Sequence, residues 1–459
     1  MTRKKCDAAI VGSGFSGLVA ANILADRGLR VVLLDENLHV GGQLLRSLPW
    51  GGVLSRPDRF RRFGFDLIGR VGKQPIEVLE RTKVLDIVEE RHLVIEKDES
   101  EIAVVEPRML LLATGARERF LPFKGWTLPG VISTGAAQIL MKSSGVLPSK
   151  KMLIAGMGPL LLSVAGEFLR HGGRLLSILD MGRAPDKALM LTQAFHQRSK
   201  VAEGILDLAR IFLARVPLHL GTAVVEARGG AELGAVVAAR IGKDGGVRGG
   251  TERIYRTGSL AVGYGFTPNI ELAQLAGCTV DHDKARGGWV VRVGDDLETG
   301  VDRVFAAGEI TGIAGALKSV CEGELAAFGM LRKLGREVDS RRMARLNRER
   351  VHHLRFGKYF NALHRIPSRA ILSIPDDVTI CRCEDVRMGE LKSAVTEGHG
   401  TPAALKRALR IGMGNCQGRT CGPIVCDILP ALTKKPQEVV PILSVRSPVK
   451  PVAMRSFLR

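Results

Sequence analysis

The sequence predicts an α/β protein made of two Rossmann-like dinucleotide-binding domains followed by a small helical domain built on cysteines. Three observations lead there. The stretches "DAAIVGSGFSGLVAANILADRGLRVVLLDE" and "KKMLIAGMGPLLLSVAGEFLRHGGRLLSILD" each read as apolar strand, glycine turn, helix and second apolar strand. Half of the eight cysteines lie between Thr379 and Pro423. At 459 residues, 45% of them hydrophobic, the chain can bury several cores without disulfide staples.

In the first unit the strand ends at Val11, and Gly12, Gly14 and Gly17 form an intact G-x-G-x-x-G before an alanine-rich helix. The first glycine turns the chain and the second lets backbone approach a pyrophosphate. The third lets helix and strand pack closely, and the helix N-terminus offers N–H groups to phosphate. Leu29–Leu34 reads as the second strand. Asp35, with Glu36 beside it, stands where an acid accepts hydrogen bonds from a ribose diol. Residues 76–113 read as short strand segments ending in "MLLLATG".

The second unit is a weaker copy: Gly156 and Gly158 are followed by Leu161 in place of the third glycine, with Asp180 at the next strand end. Pro159 is compatible with a helix's first turn. The fold is expected to survive with its nucleotide site altered. Residues 218–262 read as a strand meander, and "DRVFAAGEITGIAGA" as a strand entering a glycine-punctuated helix start. Residues 336–375 are dense in Arg and His, with Phe356, Phe360 and Leu363 at helical spacing. They read as a helical linker packed on the protein, not a nucleic-acid arm.

Cys381, Cys383, Cys416 and Cys421 give C-x-C, 32 intervening residues and C-x4-C, with two short helices expected between the pairs. Four converging thiolates suit a [2Fe–2S] cluster or tetrahedral zinc. The glycines of "GMGNCQGRTCG" favour the cluster, because backbone N–H groups can reach sulfur there, and zinc more often takes C-x2-C pairs. Free thiols are the remaining alternative. Cys426, in an apolar run, and the scattered Cys278 and Cys321 read as buried small hydrophobes.

The words "DENLHVGGQL", "LLLATG" and "VFAAGE" resemble, in order, features of the two-dinucleotide-domain flavoproteins that include glutathione and thioredoxin reductases. The resemblance implies FAD at Gly12, Gly14, Gly17, Asp35, Glu36, Gly42, Gln43, Thr114, Gly115, Gly308 and Glu309. That family usually has Asp where Glu309 stands, bonding the flavin's ribityl chain. It also implies NAD(P) at Gly156, Gly158 and Asp180. Leu161 favours instead a retained domain without nicotinamide chemistry, either empty or holding a further adenine nucleotide. No cysteine lies between residues 36 and 260, which excludes the dithiol relay of the disulfide reductases.

"CRCEDV" and "GNCQGRTCGP" resemble the bacterioferritin-associated-ferredoxin-like [2Fe–2S] domain. With "GWTLPGVISTGAAQILMK", "VGYGFTPNIELAQLAG" and the closing "SPVKPV", the whole chain resembles one family. It is the FAD-containing subunit of opine oxidases, hydrogen cyanide synthase and dye-linked proline and hydroxyproline dehydrogenases. The resemblance implies an electron-transfer subunit beside a second FAD-dependent, amine-oxidase-like subunit that oxidises the amine, with flavin (FAD or FMN) on or shared with that partner. A small additional subunit and a downstream acceptor belong to the same expectation. No catalytic His–carboxylate pair, nucleophile or substrate-gripping Arg pair stands out. A self-contained NAD(P)H-dependent reductase is the alternative, and a non-enzymatic redox sensor a third.

The expected domains are 1–122 and 266–335 for FAD, 123–265 for the second dinucleotide fold, 336–375 for the linker, 376–430 for the cluster, and 431–459 for a tail. No signal peptide or apolar run of about 18 residues is visible. The expected location is the cytoplasm, with peripheral contact at the inner face of the membrane left open. The net charge of +20 fits an acidic partner, an anionic surface or a solvated basic face.

Overall fold

Parallel strands buried on both faces read as continuous apolar runs, and the first core is made of them. The computed structural model describes residues 2–46, 59–183 and 198–457. The chain falls into two compact units, residues 1–117, 267–358 and 445–459 in one, and 118–266 and 359–444 in the other.

In the first unit β1 (Thr2–Val11), α1 (Phe15–Asp26) and β2 (Val31–Leu34) form the opening βαβ motif. After α2 (Arg59–Val71) come β3 (Ile76–Leu79), β4 (Thr82–Val88), β5 (His92–Lys97) and β6 (Glu101–Leu112). The sheet order is β3-β2-β1-β6-β5-β4, with Val304–Ala306 added beside β6. Register fixes the site. Val11 pairs in parallel with Leu34 and Leu112, and Ala306 pairs with Leu112. Four strands therefore end at one level, and the residues that follow them gather at the carboxyl edge of the sheet, where open α/β sheets bind ligands. The helix Ala316–Lys333 packs with α1 in one core that includes Leu18, Leu24, Leu325 and Phe328.

The second unit repeats the plan. A five-stranded parallel sheet runs Leu218–Leu220, Arg174–Asp180, Lys151–Gly156, Leu260–Gly263, Val131–Ser133. The expected meander is smaller than its span: Thr222–Gly229, Leu233–Arg240 and Arg253–Arg256 are antiparallel, while Leu260–Gly263 joins the parallel sheet instead. Leu260 and Ala261 are fully buried, as a central strand requires.

The cysteine-bearing segment is not a free-standing third unit. Trp126, Leu153, Val262 and Tyr264 share one continuous hydrophobic core with Ile371, Ile380, Leu391, Val425 and Leu429. The Trp126 indole donates to Thr379 O at 2.8 Å, and Arg119 pairs with Asp427. A segment of this size buries a smaller fraction of its surface alone than a larger domain does, so packing on a larger neighbour adds to its core. The basic stretch contains one long helix, Ser340–Ala362, and the division between units falls within it. The tail also divides, at 444/445.

Candidate functional site

The three glycines of the first turn have separate jobs. Gly12 has φ +105°, and a Cβ there would collide with Ala113 O; one at Gly17 would collide with Gly12 O. Gly14 is different: it caps α1 in extended geometry and a Cβ there meets nothing within 4 Å. An open face beside a helix N-terminus at the sheet's carboxyl edge is the space a pyrophosphate needs. The Gly41-Gly42 turn folds back over it. Gly41 N donates to Ser13 O and Ser13 Oγ at 3.1 and 3.0 Å. A Cβ on Gly42 would press on Gly14 Cα at 2.8 Å. Gln43 lies exposed on that turn.

Asp35 is buried and saturated. One oxygen accepts from Ser13 N at 2.9 Å and from Ser13 Oγ, the other from Asn37 N at 2.9 Å and Asn37 Nδ2 at 2.7 Å. Glu36 turns outward and pairs with Lys450. At the end of β6, Thr114 Oγ1 donates to Asn269 O at 2.6 Å and Asn269 Nδ2 returns a bond to Thr114 O at 2.8 Å. Gly115 follows with φ +68° and open space beside it.

Gly308 (φ +86°) follows the last parallel strand, and a Cβ there would lie 2.6 Å from Ser16 Oγ. Glu309, longer than the expected Asp, bends toward the start of the next helix, where its carboxylate accepts from Gly315 N at 2.8 Å. Beneath this loop lies a charged network that sequence reading missed. Lys318 and Glu322 are both fully buried and paired at 2.8 Å. Lys318 Nζ also donates to Gly308 O, Thr311 Oγ1 and Gly312 O. Glu322 Oε2 accepts from Gly308 N at 2.8 Å and Thr311 Oγ1 at 2.7 Å, and its Oε1 from Arg350 Nε at 2.9 Å. Burial lowers the Lys318 pKa, with Glu322 pulling the other way. Burial alone would raise the Glu322 pKa, but Lys318 and Arg350 hold it below the usual carboxylate value. In sequence, Lys318 and Glu322 are an ordinary i,i+4 helix pair; only their burial marks them.

The second glycine turn is filled from within its own unit. Gly156 (φ +137°) is pressed against Gly263 O, as Gly12 is against Ala113 O. At Gly158 (φ +98°) the Cβ position is taken by the imidazole of His364. His364 is 6% exposed and bonds Phe360 O through Nδ1 at 2.9 Å. Leu161 is fully buried in the core against Val164 and Ile178. Asp180 is fully buried and accepts from Gly182 N at 2.7 Å. Among the described residues the turn therefore does not fit a nucleotide: the close approach that a second glycine opens to a pyrophosphate is occupied by a ring, and the strand-end acid is buried.

The four thiols meet. Cys381 ends the strand Thr379–Cys381, Cys383 follows in the turn, Cys416 lies in the glycine-rich loop, and Cys421 opens the helix Cys421–Thr433. The Cys421 thiol neighbours Cys381 and Cys416, and Cys416 neighbours Cys383, so the sulfurs form a chain. Among the described residues, no three His, Cys, Asp or Glu side chains are placed to hold one metal ion. The Cys421 bond lowers Cys381 to about 6, helped by the backbone of Gly412, Glu384 and Cys383. It likewise lowers Cys416 to about 4, helped by the backbone of Thr420 and Gly418. Cys421 itself is pushed up by those same bonds and by burial. Cys381 and Cys421 are each 1% exposed while Cys383 is exposed, so the site has a buried and an open end. A Cβ on Gly414 would collide with Cys383 Cβ, which explains glycine there. Four thiols in two pairs, met by backbone N–H groups, fit a two-iron cluster. Cys426 is buried one turn further along the helix, and Cys6, Cys278 and Cys321 are buried elsewhere.

Residues 6–326 match the pyridine nucleotide-disulphide oxidoreductase family, and residues 379–431 match the BFD-like [2Fe-2S] binding domain. An opine oxidase subunit of Rhizobium meliloti (strain 1021) is 32% identical over 98% of this chain and 97% of that one. Hydrogen cyanide synthase subunit HcnB of Pseudomonas aeruginosa is 33% identical over 98% of this chain and 97% of its own. Among solved structures, L-proline dehydrogenase from P. horikoshii is similar in fold, with TM-score 0.70, 19% identity, and coverage of 100% of this chain and 80% of that one. Thioredoxin reductase of T. acidophilum aligns with TM-score 0.52 at 18% identity over 72% of this chain and 99% of its own. The chain therefore belongs to the pyridine nucleotide-disulphide oxidoreductase family, as an FAD-dependent oxidoreductase carrying a C-terminal BFD-like [2Fe–2S] domain.

Proposed function

We propose that this chain is the electron-transfer subunit of a multi-subunit dehydrogenase or oxidase acting on an amine or amino acid of the opine, proline, hydroxyproline or glycine type. The substrate is oxidised on a partner flavoprotein subunit. The carrying observation is His364 at Gly158. The second nucleotide turn is filled by its own unit, so among the described residues that turn offers NAD(P)H no close approach, which supports electrons reaching this chain from elsewhere. Full-length similarity to subunits of opine oxidase and hydrogen cyanide synthase supports a partner as their source. FAD, when bound, supplies two-electron uptake with one-electron release, and the cluster carries single electrons.

This chain's own residues have matching tasks in that reading. Gly12, Gly14, Gly17, Gly42, Gln43, Thr114 and Gly115 shape the FAD seat. The Gly308–Gly312 loop, held from beneath by Lys318 and Glu322, fixes its far side. Cys381, Cys383, Cys416 and Cys421 hold the cluster, and the exposed Cys383 end is where a further acceptor approaches. Among the described residues no helix is long and apolar enough to cross a membrane. The net charge of +20 favours encounter with an acidic partner or acceptor, chiefly by raising the association rate.

The test compares the purified chain with the chain co-expressed with its genomic neighbours. Dye-linked oxidation of an opine, proline, hydroxyproline and glycine is measured at several salt concentrations, and flavin bleaching by NADH and NADPH is followed in stopped flow. Turnover only with a partner and no bleaching by either nucleotide is expected. Full turnover by the isolated chain, or rapid bleaching by NADH, overturns the subunit reading and restores the self-contained reductase.

A further inference from the structure

Residues 445–457, which carry the closing "SPVKPV", belong to the first unit and are held there by specific anchors. Val449 N donates to Leu85 O at 3.0 Å, Ala453 N and Ser456 Oγ to Glu96 Oε1 at 2.8 and 2.7 Å, and Arg455 Nε to Glu99 O at 2.6 Å. Glu96 is fully buried; burial alone would raise its pKa, but Ser456, Ala453 and Lys83 hold it low. Val449 is 3% exposed. These anchors on β4, β5 and their connecting turns deliver Lys450 to the end of β2, where its ammonium meets the Glu36 carboxylate. The Lys450 side chain is 24% exposed.

Two acids stand at that strand end, and their capacities differ. An ionised carboxylate offers about four acceptor positions. Asp35 has all four engaged, by Ser13 N, Ser13 Oγ, Asn37 N and Asn37 Nδ2. Glu36 is 52% exposed and retains accepting capacity beyond its pairing with Lys450. A ribose diol seeking an acid at this edge therefore meets Glu36, and a free Glu side chain would have to give up rotamer freedom to receive it.

We propose that Lys450 is a positioning residue of the FAD site: it fixes Glu36 to accept the hydroxyls of the adenosine ribose, and the C-terminal tail is the strap that brings it there. The proposal rests on FAD binding in the first unit and is independent of any partner. A charge-assisted bond between ammonium and carboxylate is among the stronger single contacts available for this purpose. Among the described residues, Glu36 and Asp35 act on Lys450, and Asp35 also acts on Arg46. Burial lowers the Lys450 pKa while Asp35 pulls upward.

The experiment removes FAD reversibly from the full-length chain and titrates it back, with cluster absorbance as an internal check on the second unit. Lys450→Met is expected to weaken FAD about tenfold, equivalent to one charge-assisted contact, with Lys450→Arg restoring most of it. Because Lys450 acts through Glu36, the double variant K450M/E36Q should bind no more weakly than E36Q. Ser456→Ala, which loosens an anchor without touching Lys450, serves as the control. Unchanged FAD affinity in K450M overturns the proposal. So does full additivity with E36Q, or an equal loss in S456A accompanied by an equal drop in Tm, which would make the strap a fold element only.

Discussion

Glu322→Ala tests the network beneath the Gly308 loop, and its cost can be worked from the contacts. Glu322 is fully buried, and both of its oxygens are used: Oε2 by Gly308 N, Thr311 Oγ1 and Lys318, Oε1 by Arg350. Truncation leaves the buried cations Lys318 and Arg350 without their nearest counter-charge and strands the Gly308 N–H. Removing one partner of a buried pair costs about 3–5 kcal/mol. Lys318 keeps the oxygens of Gly308, Thr311 and Gly312, which puts the expected loss at the lower end, about 3 kcal/mol. Glu322→Gln retains the shape and an acceptor and should lose about 2 kcal/mol, mainly the charge term. The double variant Lys318→Met/Glu322→Leu removes both charges of the closest pair and should recover at least about 1 kcal/mol relative to the sum of the single changes. The sign with pH also follows. Glu322 has a folded-state pKa below its ordinary 4.5. Its contribution is thus fully present above pH 4.5 and is lost as pH falls through the lowered value. The assay is urea unfolding read through flavin fluorescence for the first unit and cluster absorbance for the second. Glu322→Ala should move the flavin-release midpoint down and leave the cluster transition in place. A loss under about 1 kcal/mol, or strict additivity in the double variant, would refute a coupled buried network.

Gly14→Val should abolish FAD binding in a chain that still folds, since a Cβ there meets nothing of the protein and the side chain fills the pyrophosphate approach; Gly17→Ala should instead unfold the first unit, because its Cβ collides with Gly12 O. Retention of FAD by the Gly14 variant would show that the pyrophosphate lies elsewhere. Cys383→Ser should abolish the native [2Fe–2S] signal and acid-labile sulfide while FAD stays bound, since the two sites are built on different units. Stoichiometric zinc without sulfide in the wild-type chain would contradict the cluster.

The sequence by itself determined the features whose cause is local. A glycine turn between an apolar strand and a helix specifies a dinucleotide fold because φ +105° at Gly12 and the close pass of Gly17 over Gly12 admit only glycine. The paired spacing of Cys381, Cys383, Cys416 and Cys421 spelled out a thiol centre, since short loops carry each pair. Tertiary structure decided the rest, wherever one residue's meaning depends on another far along the chain. His364 reads as one of several histidines in a basic stretch until the fold sets it on Gly158, 206 positions earlier. Lys318 and Glu322 read as a surface pair until packing of their helix removes them from water, where an uncompensated charge is costly. Asp35 reads as a strand-end acid, and only the fold shows Ser13 and Asn37 on its oxygens. Lys450 reads as one of 67 Lys and Arg residues until the tail crosses to Glu36. Local conformational preference is written in neighbouring residues, but burial and long-range charge pairing exist only after the chain has closed those distances.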